Sequence, residues 1–295
     1  MRFNSNRLAL GAAQIGFDYG VSNSTGIIPK AEVSNILRLA RNYEIDTIDT
    51  AVSYGESEKN LGDVGVKEFM VISKLPKYLS HSNKEGVKEW VDSNIIESLT
   101  RLEINSLHGI LLHRAEDLLG ENGDQIFNCL MELKNIGLIK KIGVSIYDFQ
   151  FLDLILEKYK LDIVQTPFNL IDQRLTQTGW LSHLKEKKIE VHVRSIFLQG
   201  LLLMEENKRP AYFKKWTNLW ITLEKIKKES GKSALELCLD FINQFSMVDK
   251  IIVGVQSCEN LDQIISIVNK SSLSIVSDQI SSNDIQLINP SLWNI

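Results

Sequence analysis

Short apolar runs alternate with longer segments of helical periodicity along almost the whole chain. The runs are too short for amphipathic helices, and several are rich in Val and Ile. Uniformly apolar runs of this kind are typical of parallel strands that are buried on both faces. The eight predicted strands are Leu8 to Gly11, Asp46 to Asp49, Phe69 to Lys74, Gly109 to His113, Ile142 to Ser145, Asp162 to Gln165, Glu190 to Ser195 and Ile251 to Val255.

Between and after these runs, apolar residues recur at spacings of three and four, which predicts helices. The predicted helices are Lys30 to Asn42, Gly86 to Leu102, Gln125 to Asn135, Phe149 to Tyr159, Leu175 to Lys187, Ala211 to Lys228, Ala234 to Asn243 and Leu261 to Val268. Ser233 and Asn260 are predicted N-caps. The alternation indicates an α/β fold, and eight strands favour a closed (β/α)8 TIM barrel over an open doubly wound sheet.

Length and composition fit this interpretation and exclude several function classes. A (β/α)8 barrel uses about 250 residues as one domain, so we expect a single domain over the 295 residues, 1–295. A formal net charge of -4 argues against nucleic acid or an anionic membrane surface as the main partner. The three cysteines, Cys129, Cys238 and Cys258, have no metal-binding or disulfide spacing, so we expect no metal site and three small buried side chains.

The chain has no apolar run long enough to cross a membrane, and its polar opening lacks the apolar core of a signal peptide. We therefore expect a cytoplasmic protein. The sequence gives no strongly apolar surface stripe, so we expect a monomer or a weak homo-oligomer.

Polar and ionisable residues stand at the ends of the predicted strands. In a (β/α)8 barrel the active site lies at the carboxyl ends of the strands. Asp49, Lys74 and His113 end the second, third and fourth runs, and Tyr54 follows in the turn after the second. Ser145, Gln165 and Ser195 end the fifth, sixth and seventh runs. Each residue alone has an ordinary structural explanation, but their convergence on one face predicts a catalytic site.

The segment from Asp49 to Gly62, DTAVSYGESEKNLG, resembles the aldo-keto reductase signature DTAxxYGxSExxLG at every fixed position. Val71 to Lys74 and Ile110 to His113 resemble the lysine and histidine strands of that family. The resemblance extends from about Leu8 to Val268 and implies reduction of an aldehyde, ketone or keto-sugar by NADPH, with NADH possible. The opening from Gly11 to Gly20 resembles a bacterial branch that is often linked to unusual sugar biosynthesis.

The resemblance also implies roles for four residues. Tyr54 would be the general acid that protonates the substrate oxygen. Lys74 would lower the pKa of Tyr54 by its positive charge, and Asp49 would pair with Lys74 and hold it in place. His113 would donate a hydrogen bond to the carbonyl oxygen.

Further residues would hold the cofactor by the same resemblance. Ser145 and Gln165 would bind the nicotinamide amide, with Asn169 close by. Ser195 and the backbone from Leu198 to Leu201, which includes Gly200, would contact the pyrophosphate. Gln256 and Ser257 would lie near the adenosine ribose, and Gln263 near the adenine.

The sequence departs from the family pattern at two places. Arg194 stands where many members have an aromatic residue that stacks on the nicotinamide, and we assign it to the cofactor site because an Arg plane can also stack on a ring. The segment Val255 to Leu261 has no Lys or Arg to grip the 2′-phosphate of NADPH. NADPH stays the expected cofactor because the family favours it and because Ser257 can donate to a phosphate.

Three alternatives are open at this stage. Tyr212 and Trp216, in the long segment after the seventh strand, either cover the substrate or pack on the barrel, whereas Trp220 is expected to pack on the barrel. Lys74 at a strand end also fits a Schiff-base aldolase. A regulatory barrel that binds the cofactor without turnover is the third alternative, although the intact set of four residues argues for turnover.

Overall fold

A computed structural model describes residues 5–79, 86–270 and 280–295. Eight parallel strands form a closed barrel in chain order, with β8 pairing back to β1. This is the predicted (β/α)8 TIM barrel. The strands are β1 Leu8–Gly11, β2 Thr47–Asp49, β3 Met70–Leu75, β4 Gly109–Leu112, β5 Ile142–Ser145, β6 Ile163–Pro167, β7 Glu190–Arg194 and β8 Lys250–Gly254.

Helices follow the strands and surround the barrel. They are α1 Ala13–Gly16, α2 Lys30–Asn42, α3 Ser57–Val64, α4 Val87–Leu102, α5 Gly123–Asn135, α6 Leu152–Lys158, α7 Arg174–Gln177, α8 Trp180–Glu186, α9 Thr217–Ser230, α10 Ala234–Asn243, α11 Cys258–Lys270 and α12 Ile285–Ile288. None of the helices in the described parts of the chain is long and apolar enough to cross a membrane.

Two predicted helices are interrupted in the structure. Leu175 to Lys187 divides into α7 and α8 because Gly179 has a φ of 82°, which a right-handed helix does not contain. Ala211 to Lys228 begins as a 3-10 helix, Ala211–Trp216, and only then becomes α9. Helix α3 was not predicted, since its eight residues carry few apolar side chains.

The two predicted N-caps have different outcomes. Ser233 caps α10 in a capping box, in which its hydroxyl accepts from Glu236 N while the Glu236 side chain accepts from Ser233 N. The assignment of Asn260 is wrong, because α11 already begins at Cys258. Cys258 is therefore half-buried at a helix start, whereas Cys129 and Cys238 are buried as expected.

Strand register determines which side chains share the inside of the barrel. Ile72, Leu111 and Ile163 come from β3, β4 and β6 and pack together as a separate apolar cluster. Because these strands are not all neighbours, the cluster lies across the barrel interior. Side chains two positions further along a strand point inward as well, which directs Lys74 and Gln165 to the same interior, above the cluster and towards the carboxyl ends.

Candidate active site

The structure brings the four predicted catalytic residues together at the carboxyl ends of β2, β3 and β4. Lys74 Nζ lies 2.6 Å from Asp49 Oδ2 and also donates to Thr50 O at 2.8 Å. The same ammonium lies over the Tyr54 ring, 4.9 Å from its centroid. The Tyr54 and His113 rings meet edge to face, with centroids 5.7 Å apart. The two proton-bearing rings thus lie side by side above a buried ion pair.

Glycines allow the turn that carries Tyr54 to pack closely against α1. Gly55 has a φ of 52°, in the left-handed region that favours glycine. A Cβ at Gly16 would lie 1.7 Å from Tyr54 O, so only glycine permits this contact. Backbone bonds from Glu56 N to Gly16 O and from Tyr54 N to Ala51 O close the turn. The position of the Tyr54 ring therefore depends on backbone packing as well as on its own side chain.

The remaining fixed residues of the signature hold α3 to the barrel. Ser57 Oγ donates to Ala12 O at 2.8 Å. Glu58 is 2% exposed and accepts from Ser73 Oγ at 2.6 Å, from Ser98 Oγ and from Arg101. Sequence reasoning did not identify this role. The fixed Glu of the signature could have indicated it, because a carboxylate that is buried needs a hydrogen-bond or ion-pair partner.

Burial governs the proton affinities at this site. It raises the pKa of Tyr54 above the ordinary value, and the Asp49 charge acts in the same direction. Burial lowers the pKa of Lys74, while the adjacent Asp49 opposes that shift. Burial, followed by the charges of Lys74 and Arg194, lowers the pKa of His113 from 6.5 to about 4. His113 is therefore neutral at physiological pH.

The expectation that Lys74 lowers the pKa of Tyr54 is not met. The positive charge of Lys74 is neutralised by Asp49 at 2.6 Å, so little of it acts on the phenol. Arg194 is the cation that opposes the rise in the pKa of Tyr54. Tyr54 consequently keeps its proton through the neutral range, as a proton donor requires.

Ser145 and Gln165 form a buried chain that ends on Asp49. Ser145 Oγ donates to Gln165 Oε1 at 3.1 Å, and Gln165 Nε2 donates to Asp49 Oδ1 at 2.7 Å. Both Asp49 oxygens are thus occupied, one by Gln165 and one by Lys74. Neither Ser145 nor Gln165 belongs to the described cavity wall, and their contact with a nicotinamide amide stays a prediction.

Asn169 orders the loop after β6. Its Nδ2 donates to Ser195 O at 3.0 Å, while its Oδ1 accepts from Ile171 N and Asp172 N, each at 2.9 Å. The side chain is fully buried. Asn169 therefore fixes the position of Ser195 through the backbone.

A cavity of about 260 Å³ extends from Tyr54 and His113 across the carboxyl face of the barrel to α11. Eight predicted site residues line it, namely Asp49, Tyr54, His113, Arg194, Ser195, Gly200, Gln256 and Gln263. Its wall also contains Gln199, from the segment predicted to contact the pyrophosphate. Further polar wall residues were not predicted as site members, namely Gln14, Tyr19, Ser22, Tyr147 and Asn260. The cavity thus joins the catalytic residues to the first turn of α11.

Three further predicted residues are not among the described wall residues. Lys74 is 0% exposed and lies behind Asp49. Leu201 is fully buried in the core. Ser257 precedes α11, where its hydroxyl accepts from Asn260 N at 3.3 Å.

The loop after β7 has an unusual backbone. Ser195, Leu198 and Gln199 have φ values of 59°, 48° and 55°, and Gly200 has a φ of 86°. A Cβ at Gly200 would lie 1.8 Å from Ser22 Oγ, so the loop after β1 packs directly on it. Positive φ values at non-glycine residues are costly and cluster at functional sites. This loop therefore forms a compact, fixed edge of the cavity.

Arg194 contributes a guanidinium to the cavity. Its plane lies over the Tyr147 ring, with Cζ 4.0 Å from the centroid. Nη2 donates to Ile146 O at 3.0 Å and Nη1 to Ser195 Oγ at 3.3 Å. These contacts fix the guanidinium at the end of β7, in the wall of the cavity.

Tyr212 and Trp216 pack away from the cavity, on the C-terminal segment. Tyr212 Oη donates to Gln286 O at 2.9 Å, and Trp216 Nε1 donates to Asp284 Oδ2 at 2.9 Å. Of the two interpretations left open by the sequence, the structure favours packing over a substrate cover. Trp220 is 4% exposed, as expected for a residue that packs on the barrel.

A carboxylate lies at the start of α11. Glu32, on α2, accepts from Cys258 N through Oε1 at 2.6 Å. The N-terminus of a helix favours anions because its backbone N–H groups are unpaired and its dipole is positive there. Glu32 therefore already accepts a hydrogen bond from one of the backbone N–H groups at the start of α11, that of Cys258.

Comparison with known proteins agrees with this fold. The model of the aldo/keto reductase family matches residues 7–284. Aldo-keto reductase YhdN of Bacillus subtilis is 25% identical over 270 residues, which cover 81% of this chain and 77% of YhdN. The oxidoreductase YqkF of the same organism is 25% identical over 264 residues, which cover 83% and 84%.

Among solved structures, the holo form of an aldo-keto reductase from Bacillus halodurans superimposes with a TM-score of 0.70 at 16% sequence identity, over 93% of this chain and 94% of the other. At that sequence identity the structural similarity shows the fold alone. The family match spans nearly the whole sequence, so the chain belongs to the aldo/keto reductase family. It is accordingly an oxidoreductase of the class that acts on small carbonyl compounds.

Proposed function

We propose that this protein reduces an aldehyde, a ketone or a keto-sugar with a nicotinamide dinucleotide, and that Tyr54 is the general acid. The adjacency of Tyr54, His113 and the Lys74–Asp49 pair at one end of the cavity carries this proposal. When bound, the dinucleotide supplies a hydride from its nicotinamide C4 to the carbonyl carbon.

The residues of the chain have complementary tasks in this reaction. Tyr54 Oη gives its proton to the carbonyl oxygen as negative charge develops there. The Lys74 ammonium, 4.9 Å from the ring centroid, packs against the Tyr54 ring as one half of a neutral ion pair with Asp49. Neutral His113 donates a hydrogen bond to the same oxygen. Ser53 Oγ lies 3.1 Å from His113 Nδ1, and when this hydroxyl donates to Nδ1 the imidazole presents Nε2–H to the substrate.

The cavity fits an elongated, polar cofactor. One end lies at Tyr54 and His113, so the nicotinamide belongs there, and the adenosine belongs at Gln256, Asn260 and Gln263. The fixed loop that includes Ser195 and Gly200 lies between the two ends and suits the pyrophosphate. Arg194 would border the nicotinamide, as predicted.

The choice between the two dinucleotides depends on charge at the adenosine end. The family resemblance and the Ser257 hydroxyl favour NADPH, which we keep as the expected cofactor. The Glu32 carboxylate, which already accepts from Cys258 N, would repel the 2′-phosphate of NADPH. It would therefore reduce the preference for NADPH over NADH. A cytoplasmic location and a monomeric or weakly associating chain also stay predictions.

The geometry does not favour the alternatives. A Schiff base requires a substrate carbon to reach Lys74 Nζ, but this side chain is 0% exposed and is held by Asp49 and Thr50 O. A barrel without turnover would not need an intact acid, and here Tyr54 faces the cavity beside His113.

The decisive experiment compares the wild type with Tyr54→Phe. Loss of the acid is expected to lower kcat for a reactive aldehyde by about 10²- to 10⁴-fold. Affinity for NADPH and NADH, followed by quenching of tryptophan fluorescence, should stay within about threefold of the wild type because the cofactor contacts proposed here do not include the phenol. Equal kcat in the variant would rule out Tyr54 as the acid, and absence of dinucleotide binding by the wild type would overturn the proposed function itself.

A further inference from the structure

We infer that the substrate carries a carboxylate and that Arg194 binds it. This inference rests on the carbonyl reduction proposed above and names the class of carbonyl compound. It starts from the charge balance of the cavity, where Asp49 and Arg194 are the charged side chains of the described wall.

The negative charge of Asp49 is already compensated by Lys74. Asp49 accepts from Lys74 through Oδ2 at 2.6 Å and from Gln165 through Oδ1 at 2.7 Å. Lys74 and Asp49 cancel in charge, and the described hydrogen bonds of the Asp49 carboxylate come from Lys74 and Gln165, not from Arg194. The cavity therefore keeps one positive charge that no described side chain balances.

Arg194 carries that charge, and its polar contacts are with neutral groups. They are a backbone carbonyl, Ile146 O, and the Ser195 hydroxyl, with the Tyr147 ring against its face. Other arginines of the chain pair directly with carboxylates, as Arg174 does with Asp172 at 2.8 Å and Arg101 with Glu58 at 2.8 Å. A partly buried cation without a counter-ion is costly. A bound anion would offset this cost by pairing with the guanidinium.

The position of Arg194 assigns this anion to the substrate. The guanidinium lines the same cavity as Tyr54 and His113, and its positive charge lowers the pKa of His113 and opposes the rise in the pKa of Tyr54. Tyr147 covers one face of the guanidinium, and the hydrogen bonds to Ile146 O and Ser195 Oγ use two of its five N–H groups. N–H groups therefore remain to donate to a carboxylate, the anion that a guanidinium matches best in a bidentate pair. A single uncompensated charge suits a monoanion such as a carboxylate better than a phosphate dianion.

The test uses two aldehydes of similar shape, 4-carboxybenzaldehyde and its methyl ester, of which only the first carries a negative charge. The wild type is expected to reduce the carboxylate with a kcat/KM about 10- to 100-fold above that of the ester, the range of a charge-assisted hydrogen bond. Arg194→Gln should remove this preference, so that the ratio of the two kcat/KM values falls to about one, whatever change the variant makes to both aldehydes alike. Arg194→Lys should keep part of it.

Arg114→Gln is the matched control. Arg114 follows His113 on the same face of the barrel, but it is exposed and lies near Glu116 and Asp117. It loses the same charge outside the cavity wall, so the preference for the carboxylate should persist. A fall in that preference equal to the one in Arg194→Gln would mean general electrostatic attraction and would overturn the inference.

The outcomes separate this inference from the proposed function. Reduction of both aldehydes by the wild type at equal kcat/KM would overturn the carboxylate site and leave the reductase intact. An equal loss on both aldehydes in Arg194→Gln, with weaker dinucleotide binding, would assign Arg194 to the cofactor instead. Reduction of neither aldehyde, without binding of NADPH or NADH, would contradict the proposed function.

Discussion

At the scale of single residues, two buried carboxylates of one motif serve different purposes. Asp49 lies in the cavity wall and holds Lys74 below the Tyr54 ring. Glu58 lies nine positions later on α3, away from the cavity, where it joins β3 and α4 through Ser73 and Arg101. Both are buried and both are paired, as the cost of an isolated buried charge requires. Only the geometry separates the carboxylate in the cavity wall from the one that joins α3 to its neighbours.

Replacing Glu58 by Ala should lower stability without altering the chemistry. The variant loses a charge-assisted hydrogen bond with Arg101 and leaves the Ser73 and Ser98 hydroxyls without their acceptor. We therefore expect a loss of about 1–3 kcal/mol in the free energy of unfolding. Urea unfolding measures this loss, and steady-state kinetics should give an unchanged KM for the folded fraction. Glu56→Ala, at an exposed position of the same motif, is the control. A changed KM with unchanged stability would place Glu58 in the active site.

Glu32 provides a prediction about cofactor choice. Glu32→Gln removes the negative charge at the start of α11, so NADPH should gain about two- to fivefold in affinity relative to NADH, the range of a charge at a helix end. Fluorescence titration with both dinucleotides gives the ratio. Glu259→Gln removes an exposed carboxylate from the same turn and should change the ratio less. If the two variants change it equally, the contact with Cys258 N has no special role.

At the scale of elements, α3 shows how a poorly patterned helix can still be fixed in place. Its eight residues have too few apolar side chains to reveal a helix by periodicity. Close contact replaces the missing apolar area, because a Cβ at Gly62 would lie 2.1 Å from Arg101 O, in the last turn of α4. Ser57 and Glu58 add hydrogen bonds on the other side. The helix therefore exists because of its neighbours, which a periodicity analysis does not include.

Gly62→Ala tests this close contact. The added methyl group meets backbone that cannot rotate away, so α3 and α4 must separate, and we expect a loss of about 1–3 kcal/mol, the typical effect of overpacking. The midpoint of urea unfolding is the measurement. Lys59→Ala changes an exposed position of the same helix and should stay within about 0.5 kcal/mol of the wild type. An unaffected Gly62→Ala variant would show that the two helices can move apart freely.

At the scale of the whole molecule, closing the barrel makes two histidines poor proton acceptors. Burial lowers the pKa of His108 and of His113 from 6.5 to about 4 in each case. Above pH 6.5 these histidines are neutral in both the folded and the unfolded chain. Between 6.5 and 4 the unfolded chain binds protons that the folded chain does not, so their contribution to stability falls as the pH falls.

We therefore expect the free energy of unfolding to decrease between pH 6.5 and pH 4. Urea unfolding at a series of pH values measures the slope. His108→Asn should reduce this slope and leave kcat/KM at neutral pH unchanged, because His108 is not among the described wall residues of the cavity. A variant with the full slope would show that other groups cause the acid sensitivity.

The sequence by itself determined the strand order, the barrel and the four residues at its carboxyl face. Apolar runs must be buried on both faces, and parallel strands in a closed barrel place their ends on one rim, so Asp49, Lys74 and His113 could be brought together from pattern alone. The eight fixed positions after Asp49 in the signature supplied Tyr54 but not the structural roles of Ser57, Glu58 and Gly62.

Only the tertiary structure decided how charge is distributed around those residues. The pKa of Tyr54 depends on its burial and on how far the Asp49 charge cancels the Lys74 charge. Both depend on contacts between segments that are far apart in the sequence. The unbalanced charge of Arg194 and the carboxylate of Glu32 at α11 likewise arise from contacts between distant segments. Electrostatic energy falls with distance and with exposure to water, so residue types and their order cannot specify it until the chain is folded.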